Sequence, residues 1–117
     1  MPPDRSLTSS ERALIDRLLE PEFPGRDELR RQLDMTRAVE LEDGGLTLIC
    51  DTTVRAPVKT RVPTEGEYLD ADGVPVHVLL HVVDGIVSEL EIFKEDSSPV
   101  VDKPIPSALD VIAPFSH

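Results

Sequence analysis

The stretch Val74–Glu95 constrains the fold most, because it is the longest apolar run and Asp84-Gly85 divides it into two halves rich in β-branched residues. Asp-Gly between two such halves is typical of a β-hairpin with a two-residue type I′ turn, which requires positive φ at both central residues. The sequence therefore predicts a hairpin in which Val83 lies opposite Ile86.

Regular pairing outward from this turn sorts the side chains onto two faces, because they alternate along each strand. The first face holds His77, Leu79 and His81 opposite Ile92, Leu90 and Ser88. The second face holds Val76, Val78, Leu80 and Val82 opposite Phe93, Glu91, Glu89 and Val87. A second two-residue turn at Asp72-Gly73 adds Thr64, Gly66 and Tyr68 to the first face and Glu65 and Glu67 to the second.

The four glutamates Glu65, Glu67, Glu89 and Glu91 thus fall on the second face. Unpaired carboxylates are rarely buried, so we expect the first face to be the core, with both histidines under the helices. The second face then exposes an apolar stripe beside the glutamates. This candidate interaction face consists of Val76, Val78, Leu80, Val82, Glu65, Glu67, Glu89 and Glu91.

Two helices are predicted near the N-terminus. Thr8 and Glu11 form a capping box before the apolar positions Leu14, Ile15, Leu18 and Leu19, which predicts a helix over 9–20. Leu29 and Leu33 mark the buried side of a second helix over 26–33. A hairpin then follows in which Val39, Leu41, Leu46, Leu48 and Cys50 share one face.

The resulting fold class is α+β, in one domain over residues 1–117. Two N-terminal helices pack on one face of a four- to five-stranded antiparallel β-meander, followed by a Pro-rich extended C-terminal tail. The expected division is a disordered N-terminus at 1–7, helices at 9–33, the sheet at 37–95 and the tail at 96–117. Alternatively, the tail covers the second face through Ile105, Leu109 and Val111.

The net charge of −11 is concentrated in residues 65–117, which contain 11 Asp/Glu and 2 Lys/Arg. This distribution argues against a nucleic-acid partner, which needs a basic surface, and is compatible with a basic protein partner. The single cysteine excludes an internal disulfide and fits a reducing compartment. No apolar run approaches the roughly 20 residues of a membrane helix, and no signal peptide is recognisable. We expect a cytoplasmic protein that binds no membrane.

The histidines are the residues that most suggest chemistry. His77 and His81 are four apart on one strand, about 13 Å by strand rise, so direct binding of one metal by both is not expected. Cys50 has no base nearby in sequence, and no Gly-rich phosphate loop occurs. We therefore expect no enzyme, no catalytic or metal residue and no cofactor. A small-ligand or metal pocket near His77, His81, Tyr68 and Cys50 is an alternative.

Four segments of the chain can be compared with known sequences: Leu7–Leu19, Phe23–Leu33, Asp70–Pro75 and Leu79–Ile92. In these segments the chain resembles a group of small, largely actinobacterial proteins of unknown function. It implies a bacterial, cytoplasmic origin and supplies no activity.

The function expected from the sequence is a non-enzymatic protein-binding or assembly domain, acting on a protein partner or through self-association as a homodimer. Stacking of glutamate rows opposes a homodimer through the second face unless Lys59, Arg61 or Lys94 interleaves. The alternative is an immunity- or antitoxin-like acidic inhibitor of a basic partner protein.

Overall fold

A computed structural model of the chain describes residues 3–113. In this range two helices lie on one face of a seven-stranded antiparallel sheet. The helices are α1 (Ser9–Leu18) and α2 (Arg26–Leu33), and a 3-10 turn spans Pro106–Ala108. The strands are β1 (Arg5–Ser6), β2 (Thr36–Glu40), β3 (Leu46–Cys50), β4 (Thr64–Leu69), β5 (Pro75–Val83), β6 (Ile86–Lys94) and β7 (Asp110–Ile112).

The order of the strands across the sheet is β1-β2-β3-β6-β5-β4-β7. The α+β class is therefore confirmed, but the described sheet has more strands than predicted and is not a simple meander. The edge strands β1 and β7 have two and three residues, too few to produce a periodic pattern in the sequence. The segment between β3 and β4 forms no strand, and the β2–β3 hairpin pairs with β6 instead of β4.

The two helices begin where the sequence predicts. Thr8 Oγ1 accepts from the Glu11 amide at 3.1 Å, and Glu11 Oε1 accepts from the Thr8 amide at 2.9 Å, so the capping box is formed. Arg5 donates to both carboxylate oxygens of Glu11 at 2.8 Å. That contact joins the edge strand, in the segment predicted to be disordered, to the start of α1.

The core lies between the helices and the β5 face that the sequence analysis placed outside. Val76, Val78 and Leu80 are 0% exposed and Val82 is 3% exposed. The predicted exposed stripe is therefore wrong, and His77 and His81 lie on the face turned away from the helices. The residues that meet α1 and α2 from the sheet include Thr64, Tyr68, Val76, Val78, Leu80, Val87, Leu90 and Ile92.

One cause is a β-bulge in the central hairpin. Val83 pairs with Ile86 as predicted, but His81 pairs with Glu89, so Ser88 is an extra residue on β6. The bulge brings Leu90 opposite Leu80, where regular pairing would have placed Leu79. An extra residue in one strand shifts every later pair by one.

The other cause is the turn between β4 and β5. Leu69 pairs with Pro75, so residues 70–74 form a five-residue connection instead of a two-residue turn. Tyr68 consequently lies opposite the buried Val76. The side chains of β4 that face the helices were predicted correctly, and so were those of β6 beyond the bulge. On β5, which lies between these two strands, the predicted inner and outer faces are exchanged.

The β2–β3 hairpin shows the same effect. Its connection spans residues 41–45, and Ala38 pairs with Leu48. Ala38 is therefore buried, and Val39 lies on the opposite face from Leu46 and Leu48, contrary to the prediction.

The C-terminal segment returns to the helix side of the sheet. Tyr68 Oη donates to the Asp102 carbonyl at 2.6 Å, and Arg17 Nη2 donates to the Leu109 carbonyl at 2.9 Å. Leu109 is buried and β7 pairs with β4, whereas Ile105 is 57% exposed. An extended tail is therefore not confirmed, and its described part does not cover the second sheet face. Residues 114–117 of the predicted tail, and residues 1–2, lie outside the described range.

Among the described residues, neither helix has the length and apolar character needed to cross a membrane.

Candidate functional site

The side of the sheet turned away from α1 and α2 is the candidate functional surface. We call it the outer face. Its central residues are Glu65, Glu67 and Leu69 of β4, His77, Leu79, His81 and Val83 of β5, and Glu89, Glu91 and Phe93 of β6. They alternate with the buried residues of the same strands.

Large apolar side chains are exposed on the outer face. Leu69 is 67% exposed, Phe93 41% and Val83 38%. The described part of the C-terminal segment contacts the opposite side, as Lys94 Nζ donates to the Pro99 carbonyl and Leu109 lies beside Gly66. Within residues 3–113, no helix or tail segment covers these three side chains.

The four predicted outward glutamates do lie on this face. Glu65 and Glu67 on β4 flank β5 on one side, and Glu89 and Glu91 on β6 flank it on the other. The prediction that they point away from the helices is confirmed. The histidines therefore lie among carboxylates, not in the core.

His81 is held between a cation and a carboxylate. Arg61 Nε donates to Nδ1 at 3.1 Å, and Nε2 lies 2.8 Å from Glu91 Oε1. A guanidinium can only donate, so Nδ1 accepts and Nε2 carries the proton that is donated to Glu91. This arrangement fixes one neutral tautomer and brings Arg61 onto the edge of the outer face.

His77 has a different environment four residues away. Its Nε2 lies 2.8 Å from Glu95 Oε1, and its ring stacks on Phe93 with centroids 4.9 Å apart and an interplanar angle of 22°. Glu67 is its neighbour on β4. The stack fixes the Phe93 ring beside His77, and the carboxylates make this end of the face acidic.

The predicted pocket of His77, His81, Tyr68 and Cys50 is not formed. Tyr68 is buried on the helix side, and Cys50 Sγ lies 3.6 Å from the Gln32 carbonyl of α2, whereas both histidines lie on the outer face. Because the two faces of β5 are exchanged relative to the prediction, the two histidines lie on the opposite side of the sheet from Tyr68 and Cys50. No group of three His, Cys, Asp or Glu side chains in residues 3–113 is placed to hold a metal ion.

Two open depressions of about 360 Å³ each occur elsewhere on the surface. One is lined by residues 22–28 at the start of α2. The other is lined by residues 58–61 and 82–85, beside the turn of the central hairpin. The second includes Val83 of the outer face together with Arg61 at its edge, but neither lining includes His77 or His81.

An ionic cluster on the helix side, in which Asp70 and Lys94 are buried and Asp72 is exposed, was not predicted. We call it the tail latch, formed by Asp70, Asp72 and Lys94. The Asp70 carboxylate accepts from the amides of Ala71, Val101 and Asp102, each at 2.8 Å. Lys94 Nζ lies 2.9 Å from Asp70 Oδ2 and 2.6 Å from Asp72 Oδ2. The latch fixes the C-terminal segment to the turn between β4 and β5.

These contacts set the protonation of the latch. The amides of Val101 and Asp102, together with Lys94, hold the pKa of Asp70 well below its usual range. The hydrogen bond to Asp72 raises the pKa of Lys94. Burial, with the nearby Asp70 charge, raises the pKa of Tyr68 to about 12. The latch is therefore fully ionised and satisfied at neutral pH, as a structural contact requires.

One signal in the sequence could have revealed the latch. Leu90, Ile92 and Lys94 alternate on β6, so a strand with Leu90 and Ile92 inward also turns Lys94 inward. A buried lysine needs carboxylate partners, and Asp70 and Asp72 are in the turn at the same end of the sheet.

Comparison with protein families gives one finding. The model of a family described as a domain of unknown function (DUF6984) matches residues 4–104. The match includes both helices, β1 to β6 and the tail latch, and it ends before β7. No curated protein and no solved structure matches the chain.

Proposed function

The chain belongs to this family of unknown function, and we propose from its geometry that it is a non-enzymatic protein-binding or assembly domain whose binding surface is the outer face. The observation that carries the proposal is the exposure of Leu69, Phe93 and Val83 among carboxylates, on a sheet face that no described segment covers.

The physical argument concerns the composition of a sheet face in water. An antiparallel sheet with one solvated face normally carries polar residues there. Here Leu69 and Phe93 lie at one end of the outer face, Val83 lies at the other, and Leu79 lies between them on β5, and exposed apolar side chains with a polar rim are typical of interaction surfaces. Phe93 also fits the preference of interface centres for aromatic residues, and its stack on His77 reduces the side-chain entropy that binding would cost.

The charges define the chemistry of the partner. Glu65, Glu67, Glu89 and Glu91 surround the apolar side chains, so a partner that buries this face must bring Lys or Arg to them. We therefore propose a partner protein with a basic surface. Its association should weaken as salt is added, because exposed charges are screened over about 10 Å at 0.1 M ionic strength.

A binding role is also supported by the state of the histidines. Both ring nitrogens of His81 are already hydrogen-bonded to Arg61 and Glu91, which makes this imidazole a poor general base for a substrate. The proposal includes a bacterial, cytoplasmic setting, supported by the resemblance to actinobacterial proteins and by the single cysteine.

Site-specific photo-crosslinking in the source organism tests the proposal. The photoreactive residue p-benzoylphenylalanine replaces Leu69 on the outer face or, as a control, Val101 on the helix side. The two positions are matched, because their side chains are 67% and 64% exposed. We expect a discrete protein adduct from position 69 and none of comparable yield from position 101.

The adduct must then pass a second measurement with purified components. The captured protein should bind the wild-type chain, bind Phe93→Asp at least about tenfold more weakly and bind less tightly at 500 mM than at 50 mM salt. Absence of an adduct at position 69, equal adducts at both positions, or a captured protein indifferent to Phe93→Asp would each reject the proposed function.

A further inference from the structure

We propose that the depression beside the turn of the central hairpin binds a small organic carboxylate with an aliphatic group. We call this depression the hairpin site. Its volume is about 360 Å³, and residues 58–61 and 82–85 line it. Such a ligand is distinct from the protein partner of the outer face, and the site lies at one edge of that face.

The chain segment that forms one wall of the hairpin site carries only positive charge. Residues 52–64 contain Arg55, Lys59 and Arg61 and are the longest stretch of the sequence without Asp or Glu. All three cations are exposed, and no carboxylate of residues 3–113 lies within ion-pair distance of them. A negatively charged ligand is therefore attracted to this wall, although the chain as a whole has a net charge of −11.

Arg61 is oriented by two other side chains. His81 Nε2 lies 2.8 Å from Glu91 Oε1 and donates to it, which leaves His81 Nδ1 to accept from Arg61 Nε at 3.1 Å. No hydrogen bond among the described residues uses Nη1 or Nη2 of Arg61. A guanidinium fixed through Nε presents its two Nη groups as a pair, and such a pair matches the two oxygens of one carboxylate.

The wall and the hairpin turn form one rigid unit. The Ala56 amide donates to the Gly85 carbonyl at 2.8 Å, and the Val82 amide donates to the Arg61 carbonyl at 2.7 Å. The buried Gln32 side chain of α2 also donates to the Gly85 carbonyl, at 2.8 Å. A site that is formed before the ligand arrives loses little conformational entropy on binding.

The remaining lining residues define the class of ligand. Val58, Val82 and Val83 contribute aliphatic side chains. Among the described lining residues Asp84 is the one carboxylate, and it makes no ion pair with either cation of the lining. A phosphate, with its higher charge, would meet repulsion from Asp84 and leave the valines without a contact. A monocarboxylate pairs with Arg61 and covers the valines with its aliphatic group.

NMR titration of the isotope-labelled full chain tests the proposal, with isovalerate as the carboxylate probe. Isovaleramide, which has the same shape and no charge, is the matched control ligand. At pH 7 and constant ionic strength, isovalerate should shift the Arg61 Nε–H signal and the Val83 methyl signals in one saturable process, with a dissociation constant of about 5 mM or lower. Isovaleramide lacks the charge and inorganic phosphate lacks the aliphatic group, so each should bind at least about tenfold more weakly.

Single variants locate the bound carboxylate. Arg61→Gln removes the charge and the paired donors, and should weaken isovalerate binding at least about tenfold. Arg31→Gln removes an equal charge at an exposed position of α2 outside the lining, and should bind isovalerate like wild type. Lys59→Gln is a second test of the cationic wall and should weaken binding at least about threefold. Circular dichroism checks that each variant is folded.

The orienting role of His81 has its own test. His81→Leu removes the acceptor for Arg61 Nε, whereas the side-chain oxygen of His81→Asn can replace Nδ1 as acceptor. We expect His81→Leu to weaken isovalerate binding about fivefold, the contribution of one hydrogen bond, and His81→Asn to bind within about twofold of wild type. Equal weakening in both variants would show that His81 does not orient Arg61.

Three results would overturn the carboxylate site itself. These are the absence of a saturable shift up to about 50 mM isovalerate, an equal response to isovaleramide, and binding by Arg61→Gln that equals wild type. Tighter binding of phosphate than of isovalerate would overturn the proposed class of ligand. The proposed function is tested separately, because photo-crosslinking at position 69 detects a protein partner.

Discussion

At the scale of single residues, Asp70 shows how one buried charge organises a segment distant in sequence. It holds two amides of the C-terminal segment and the ammonium of Lys94 at once. Every one of these donors favours the ionised carboxylate. The position of residues 101 and 102 against the sheet therefore depends on that ionisation.

The depressed pKa of Asp70 predicts how stability depends on pH. A carboxyl whose folded-state pKa lies below its unfolded value adds stability above the unfolded pKa and loses it as pH falls toward the folded one. We expect Asp70→Asn to lower the thermal midpoint clearly at pH 7 and progressively less from about pH 4.5 downward. Thermal unfolding of both proteins from pH 7 to pH 2.5 measures this. If the difference in thermal midpoint between wild type and Asp70→Asn stays constant or grows in acid, the latch contributes through packing alone.

At the scale of elements, local signals were predictable and strand register was not. Both helices follow from the Thr8–Glu11 capping box and from apolar spacing, and the Asp84-Gly85 turn has the positive φ values expected of it. Two adjacent departures then reversed β5: the bulge at Ser88 and the five-residue connection at 70–74. A regular hairpin and a bulged one fit the same alternation of residues, so the pattern alone cannot choose between them.

The outer face was therefore only half predictable. The glutamates were placed correctly, because the cost of burying carboxylates is independent of turn type. The histidines were misplaced, because a neutral imidazole is tolerated on either side of a sheet. The stronger indication of the core was the stripe of four aliphatic residues at alternate positions of β5, namely Val76, Val78, Leu80 and Val82.

The neighbours Leu79 and Leu80 test the orientation of β5. Leu80 is fully buried, whereas Leu79 is on the outer face. Leu80→Asp places an unpaired carboxylate in the core and should cost about 4 kcal/mol or more, or prevent folding. Leu79→Asp should change the free energy of unfolding by about 1 kcal/mol or less. Urea unfolding of both variants compares the two losses, and a larger loss for Leu79→Asp than for Leu80→Asp would refute the assigned core.

At the scale of the whole molecule, the arrangement of the layers and the distribution of charge both favour the outer face as the proposed binding surface. The helices and the described part of the C-terminal segment lie on one side of the sheet, and the carboxylates and exposed apolar side chains lie on the other. The family match ends before β7, so the matched residues already include the central strands of this surface. The central claim is that the helices cover Val78 and Leu80 and leave the outer face open as the proposed binding surface.

Methyl NMR with a soluble paramagnetic probe tests this claim most directly. At low protein concentration and 500 mM salt, the probe should broaden the methyl signals of Leu69, Leu79 and Val83 and leave those of Val78 and Leu80 sharp. When the partner captured by crosslinking at position 69 is added at 50 mM salt, the outer-face signals should become protected while the core signals stay unchanged. Broadening of Val78 and Leu80 in either condition, or outer-face signals broadened equally in both, would contradict the account.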